Sequence, residues 1–305
     1  MKIINIPNSN LAVSAISLGC MRISQLTNKE IAQLIHTALD EGINFFDHAD
    51  IYGGGLSEEK FAEALPLTSQ IREKMILQSK CGIRQGFFDF SKGHILEAVD
   101  GSLKRLRTDY LDVLLLHRPD ALVEPEEVAE AFTILQDSGK VKYFGVSNQN
   151  PMQIELLTKF VKQKILFNQL QFSITNTGMI DAGINVNMEN APSINRDGSI
   201  LDYCRLNNIT IQPWSPFQYG FFEGVFLDNE KFPELNQKIN EIALAKGVTN
   251  SAIAIAWILR HPAQMQPIVG TTNPQRLIDI CKAADITLSR QEWYSIYLAA
   301  GNQLP

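Results

Sequence analysis

Short aliphatic and β-branched runs alternate with longer amphipathic stretches along almost the whole chain. Eight such runs stand out: Ala15–Leu18, Asn44–Phe46, Met75–Gln78, Leu111–Leu116, Val141–Val146, Leu166–Leu170, Ile209–Gln212 and Pro267–Val269. Runs of this kind bounded by turn residues read as strands. The stretches between them have recognisable helix ends. Asn28–Glu41 follows Thr27, has Glu30 placed for a capping box, and stops at Gly42. Leu96, Val99, Leu103 and Leu106 form one apolar face within Ile95–Leu106. Pro125 opens a helix running to Gly139, and Asn150-Pro151 and Asn273-Pro274 open two more with an asparagine cap and proline at the first helical position. Strict strand–helix alternation demands a parallel sheet, and eight units are the number that closes a (β/α)8 TIM barrel.

Length alone, at roughly 150 residues per domain, leaves one or two domains open, since barrels of about 250 residues run as one. No low-complexity tract or linker interrupts the 305 residues, so the expectation is a single barrel domain over 1–305. Two segments fall outside the repeat. Ile3–Val13, with a turn at Asn8-Ser9-Asn10, is expected to form a β-hairpin at the barrel bottom. Residues 174–199 form a long polar insertion after the sixth strand, which is functional or mobile by its length. An extra C-terminal helix is expected over Gln291–Ala300.

Composition excludes other classes. With 45% hydrophobic residues and 20% charged, the chain has material for a full core, and a net charge of -6 disfavours a nucleic-acid or anionic-membrane partner. No apolar run approaches the roughly 20 residues of a membrane span. Cys20, Cys81, Cys204 and Cys281 lie far apart, which reads as reduced thiols in the cytoplasm and not as a disulfide or zinc framework. Leu11–Cys20 faintly resembles a secretory signal, but its positive region is only Lys2 and a hairpin followed by a strand explains it better.

In such barrels chemistry sits on loops at the C-terminal strand ends. The second strand ends FFDHADIYGG, the third ILQSKCG and the fourth LLLHRPD, delivering Asp47, His48, Asp50, Tyr52, Lys80 and His117 to one rim. Singly, each has a structural explanation: a turn cap, a packed aromatic, a surface pair, a buried histidine. Together they do not, because core packing gives no reason for Lys and Asp at adjacent strand ends. The set suits proton transfer to a carbonyl oxygen. A free phenol titrates near about 10, too high for efficient proton exchange at neutral pH, and a neighbouring ammonium is expected to lower it.

These strings, with YFGVSN, FNQLQ, PWSP and IVGTTNPQRL in order, resemble the aldo-keto reductase superfamily over essentially the whole chain, and DHADIYGG with HRPD is similar to a bacterial branch of predicted oxidoreductases. The resemblance implies a tetrad of Asp47, Tyr52, Lys80 and His117 with Tyr52 as general acid/base, and hydride transfer from an extended nicotinamide cofactor to a small carbonyl substrate. It accounts for the lack of a G-x-G-x-x-G fingerprint; Gly53–Gly55 are read as a flexible turn. It further implies that Ser147, Asn148 and Gln169 hold the carboxamide, that Trp214 stacks on the nicotinamide, and that Ser215 and Pro216 begin the pyrophosphate strap. Gly270, Thr271 and Thr272 precede a helix N-terminus suited to phosphate, Arg276 matches the arginine near the 2′-phosphate, and Asp279 stands near the adenine position.

Departures from the family pattern temper this. Gly270, Thr272 and Asn273 stand where a Lys or Arg is common, leaving Arg276 as the motif cation, so the implied cofactor is NADP(H) with weakened selectivity, NAD(H) being also admissible. Ile280 replaces a common Asn. Arg118, in place of an aromatic, either brings a cation to the substrate mouth or forms a salt bridge. No long C-terminal substrate loop precedes Pro305, so the 174–199 insertion is the candidate lid. No metal is implied, and a monomer or weak homo-oligomer is expected. Three alternatives stay open. They are a metal-dependent barrel hydrolase using Asp47, His48, Asp50 and His117, a lysine Schiff-base aldolase, and a nicotinamide-binding regulatory subunit with little turnover.

Overall fold

The computed structural model describes residues 1–305. Eight parallel strands form one sheet: β1 Ser17–Gly19, β2 Phe45–Asp47, β3 Ile76–Cys81, β4 Leu111–Leu116, β5 Val141–Ser147, β6 Ile165–Gln171, β7 Thr210–Trp214 and β8 Ile268–Val269. Neighbours in sequence are neighbours in the sheet, and β8 returns to pair with β1, Ile268 opposite Ser17. The last seam closes where the Gln266 N–H donates to the Ile211 carbonyl at 3.0 Å. The architecture is the expected (β/α)8 barrel.

Strand periodicity divides the core. Along β4, Val113 and Leu115 point inward, while Leu114 and Leu116 join the large outer cluster under the helices. Val113 and Leu115 meet Phe45, Leu166 and Phe167 inside the barrel, and Ile6, Leu11 and Val13 of the N-terminal hairpin pack on them from below. Ile3–Asn5 pairs antiparallel with Ala12–Ser14 in that hairpin. Its second strand runs further than expected. The Ala15 N–H bonds the Lys2 carbonyl at 2.8 Å, so Ala15 extends the hairpin and β1 begins only at Ser17.

Helix ends follow the capping chemistry. Asn28–Asp40 has a complete Thr27–Glu30 capping box, and Pro151–Thr158 has one from Asn150 and Gln153. The C-terminal helix spans Arg290–Ala299, capped by Ser289. It is pinned by stacked indoles 4.7 Å apart, Trp257 and Trp293, each donating its N–H to the other's backbone carbonyl. No single helix is long and apolar enough to cross a membrane.

The insertion is only partly regular. It holds a helix at Gly178–Ile184 and a short turn at Ala191–Ser193, and it is fastened to the C-terminal helix by the Tyr297 hydroxyl donating to Asp181 Oδ1 at 2.7 Å. Its residues do not line the cleft at the barrel mouth. The mouth is instead flanked by two small hairpins, Ile83–Arg84 with Phe87–Phe88 and Gln218–Tyr219 with Gly224–Val225.

Candidate active site

Above the apolar floor the barrel interior turns polar. Gln78 on β3 and Gln212 on β7 share the inward face with Lys80 and Trp214, two residues further on. Gln78 Nε2 donates to Asp47 Oδ1 at 2.6 Å and to Gln212 Oε1 at 3.0 Å. Gln212 Nε2 donates to Gln266 Oε1 at 2.9 Å, and Gln266 Nε2 to the Ser14 carbonyl at 2.8 Å. All these side chains are buried. A continuous amide chain therefore ties Asp47 to the hairpin below, and buried amides are held in register only when so paired.

Lys80 is fully buried at the end of β3, and its ammonium reaches Asp47 at 2.8 Å, the His48 carbonyl at 2.7 Å and the Tyr52 hydroxyl at 3.0 Å. An ammonium has three N–H donors, and all three are thereby used. Burial works against this charge, but Asp47 and Tyr52 outweigh it and hold the lysine above its ordinary value. Because Lys80 donates to Tyr52, the phenol oxygen accepts there and its own proton is free to point into the cleft. The phenol itself departs from expectation. Lys80 pulls it down, yet burial is the larger effect and the net shift is upward. His117 stands edge-on to Tyr52, ring centroids 6.0 Å apart, and burial with the Lys80 and Arg118 charges keeps it neutral.

Tyr52 sits on the tight turn Tyr52–Gly55, where Gly53, Gly54 and Gly55 have φ of 61°, 68° and 96°. This left-handed run explains the glycines that spacing alone left as a flexible turn. A Cβ on Gly55 would also lie 2.9 Å from Arg105 Cδ. Arg105 bonds the fully buried Glu58 at 2.8 Å, and Glu58 accepts from Ser79 Oγ at 2.6 Å. This pair braces the tyrosine turn against β3.

A cleft of about 1170 Å³ opens from Tyr52 and His117 across the strand ends. Ser147, Asn148, Gln169, Trp214, Ser215, Pro216, Gly270, Thr271 and Arg276 all line it. The first four are cross-linked. Trp214 Nε1 donates to Asn148 Oδ1 at 3.1 Å, Asn148 Nδ2 to Ser147 Oγ at 2.7 Å, and Ser147 Oγ to the Gln169 carbonyl at 3.1 Å. Gln169 Nε2 in turn donates to Asp47 Oδ1 at 3.1 Å. No three His, Cys, Asp or Glu side chains are grouped to hold a metal ion.

The family model for the aldo/keto reductase family matches residues 15–298. The chain belongs to that family. It is 35% identical to the uncharacterised oxidoreductase YcsN of Bacillus subtilis, with 97% of each chain covered. It is 33% identical to a 6-dehydroglucose reductase of Novosphingobium aromaticivorans, over 98% of this chain and 95% of that one. Among solved structures, a thermostable aldo-keto reductase, Tm1743, crystallised with the inhibitor epalrestat, superimposes with a TM-score of 0.78 at 26% identity, covering 98% of this chain and 100% of that one. This family member is thus an oxidoreductase of the NAD(P)H-dependent class.

Not every residue singled out in the sequence faces the cleft. Thr272 and Asp279 are off its wall, and Asp279 is paired with Lys282 at 3.0 Å. No residue of 174–199, the segment expected to serve as a lid, lines it; Phe221, Phe222, Val225 and Leu227 of the loop after β7 do. Thr249, Asn250 and Ser251 also line it, at the start of the helix Asn250–Leu259. The Thr249 cap was the available signal for that second helix N-terminus.

Asp50, one loop residue from the tetrad, has no bonding partner on Oδ1, and burial beside Glu58 raises its pKa to about 7. A carboxyl whose folded value lies above its unfolded one stabilises the fold while protonated, and that contribution is lost as pH rises through about 7. Asp50→Asn is therefore expected to raise stability at pH 8 by on the order of 2–4 kcal/mol. The gain should vanish towards pH 4, as urea unfolding at both pH values will show.

Proposed function

We propose that this chain reduces an aldehyde or ketone to an alcohol with NADPH, NADH serving less well, and that Tyr52 gives the proton to the carbonyl oxygen. The observation that carries this reading is the saturated Lys80 ammonium, which leaves the Tyr52 hydroxyl hydrogen directed to a ligand. Neutral His117 is available to donate a hydrogen bond to the same oxygen and fix the carbonyl plane.

The cleft fits a nicotinamide dinucleotide by its donor set. Amide and hydroxyl groups of Ser147, Asn148 and Gln169 would hold a carboxamide, Trp214 would cover the ring, and Ser215, Pro216, Gly270 and Thr271 would follow the phosphates. Asn273 caps the helix Pro274–Cys281, whose N-terminus favours anions, and Arg276 on its first turn has no carboxylate partner. When bound, the cofactor supplies the hydride that reaches the carbonyl carbon. The four cysteines are free and buried, which suits the cytoplasm, and a monomer or weak homo-oligomer acting on a small molecule is the expected form.

Titrating NADPH and NADH while following tryptophan fluorescence tests this. Both are expected to bind, NADPH more tightly, and Arg276→Ala is expected to weaken NADPH by about 5–20-fold while sparing NADH. A protein that binds neither would contradict the reading.

A further inference from the structure

Three arginines, Arg22, Arg118 and Arg276, line the one cleft, although the chain carries a net charge of -6. None of them is ion-paired or engaged in a side-chain hydrogen bond within the protein. Arg276 lies at the end assigned above to phosphate. Arg118 lies at the other end, directly after His117, and is half-buried. Its guanidinium carbon is 5.6 Å from the Trp214 ring centroid and 6.0 Å from that of Phe221.

The nearest acid along the chain does not neutralise it. Asp120 accepts from the Phe90 N–H on one oxygen and from the Leu122 N–H on the other, both at 2.9 Å. Asp47 is committed to Lys80, Gln78 and Gln169, and Asp228, the other acid on the wall, is exposed. The salt-bridge option for Arg118 is therefore absent. Two aromatic rings stand within cation–π range of the guanidinium, and its N–H groups have no partner in the protein, so they are left for a ligand. A half-buried charge without a counter-ion is unfavourable, and a ligand anion would offset that.

From these contacts, and resting on the carbonyl-reductase reading above, we infer that the substrates are carbonyl compounds bearing a carboxylate, which Arg118 binds while the carbonyl oxygen faces Tyr52 and His117. The overall change is R–CHO + NADPH + H⁺ → R–CH₂OH + NADP⁺ with the carboxylate of R unaltered. Planar bidentate pairing is what a guanidinium offers a carboxylate and a lysine does not. Arg22, exposed on the same wall, adds to the positive field without a fixed contact.

The test compares succinic semialdehyde with butanal, which share four carbons and differ in the carboxylate, using the full-length protein with NADPH. The wild type is expected to favour the acid in kcat/KM by about 10–100-fold, chiefly through KM. Arg118→Met should bring that ratio to within about threefold of one, and Arg118→Lys should give an intermediate ratio, since the charge persists without the fork. Reading a ratio removes any general loss of activity in the variants. Equal use of both aldehydes by the wild type, or a ratio unchanged in Arg118→Met, overturns the inference. So does turnover of neither aldehyde by protein that binds NADPH. Failure to bind NADPH at all overturns the carbonyl-reductase reading beneath it.

Discussion

Tyr52→Phe lowers kcat/KM for aldehyde reduction by about 10²–10⁴-fold, the range expected for removing a general acid, while the affinity for NADPH changes by less than about threefold. The substitution deletes one oxygen and keeps the ring, so the edge contact with His117 and the position of the Lys80 ammonium 4.8 Å from the ring centroid persist. Lys80 retains Asp47 and the His48 carbonyl as acceptors. The wild-type pH profile checks the same assignment. With the phenol raised above its ordinary value by burial, partly offset by Lys80, reduction should stay level through neutrality and decline only on the alkaline side of about 10. A neutral-pH decline, or a Tyr52→Phe protein with wild-type rate, would sink the assignment.

The Asp47–Lys80 pair should show a large non-additive effect on stability. Asp47→Leu leaves an ammonium at 0% exposure with only neutral acceptors, and Lys80→Met leaves a buried carboxylate with only the neutral amides of Gln78 and Gln169 as donors. Each is expected to cost about 3–5 kcal/mol, because a buried charge that loses its partner keeps its desolvation penalty. The double variant Asp47→Leu/Lys80→Met should cost clearly less than the sum, since both charges leave together. Urea unfolding of the four proteins gives the coupling energy directly. Additive losses would mean the two groups are solvated in the folded protein, against their placement.

The eight-unit rhythm was legible because each buried strand is short and bounded, and the Asp–Tyr–Lys–His cluster because Asp47, Lys80 and His117 follow apolar runs at strand ends, with Tyr52 on the turn just beyond Asp47. Two things were hidden for physical reasons. The helix Asn250–Leu259 is apolar on all sides, with Ala252 through Ile258 all buried, so it presents no amphipathic face. The glutamine chain joins side chains up to 134 residues apart, and a lone Gln in a strand looks like noise until the barrel closes. A usable signal did exist, since Gln78 and Gln212 each precede a site residue by two and so share its face. The insertion is the converse case, where length suggested a lid and no residue of the segment lies on the cleft wall. Where it docks rests on contacts remote in sequence, such as Tyr297–Asp181, which spans 116 residues.

Transfer of label from cofactor to product shows whether this chain moves a hydride from NADPH to a carbonyl carbon. The purified protein is mixed with NADPH carrying deuterium at the transferable position of the nicotinamide ring and with succinic semialdehyde, and the alcohol is weighed by mass spectrometry. One deuterium is expected in each alcohol formed, with one NADP⁺ for each, and both products are expected to be lost in Tyr52→Phe. An unlabelled alcohol, or full conversion by Tyr52→Phe, would contradict this reading.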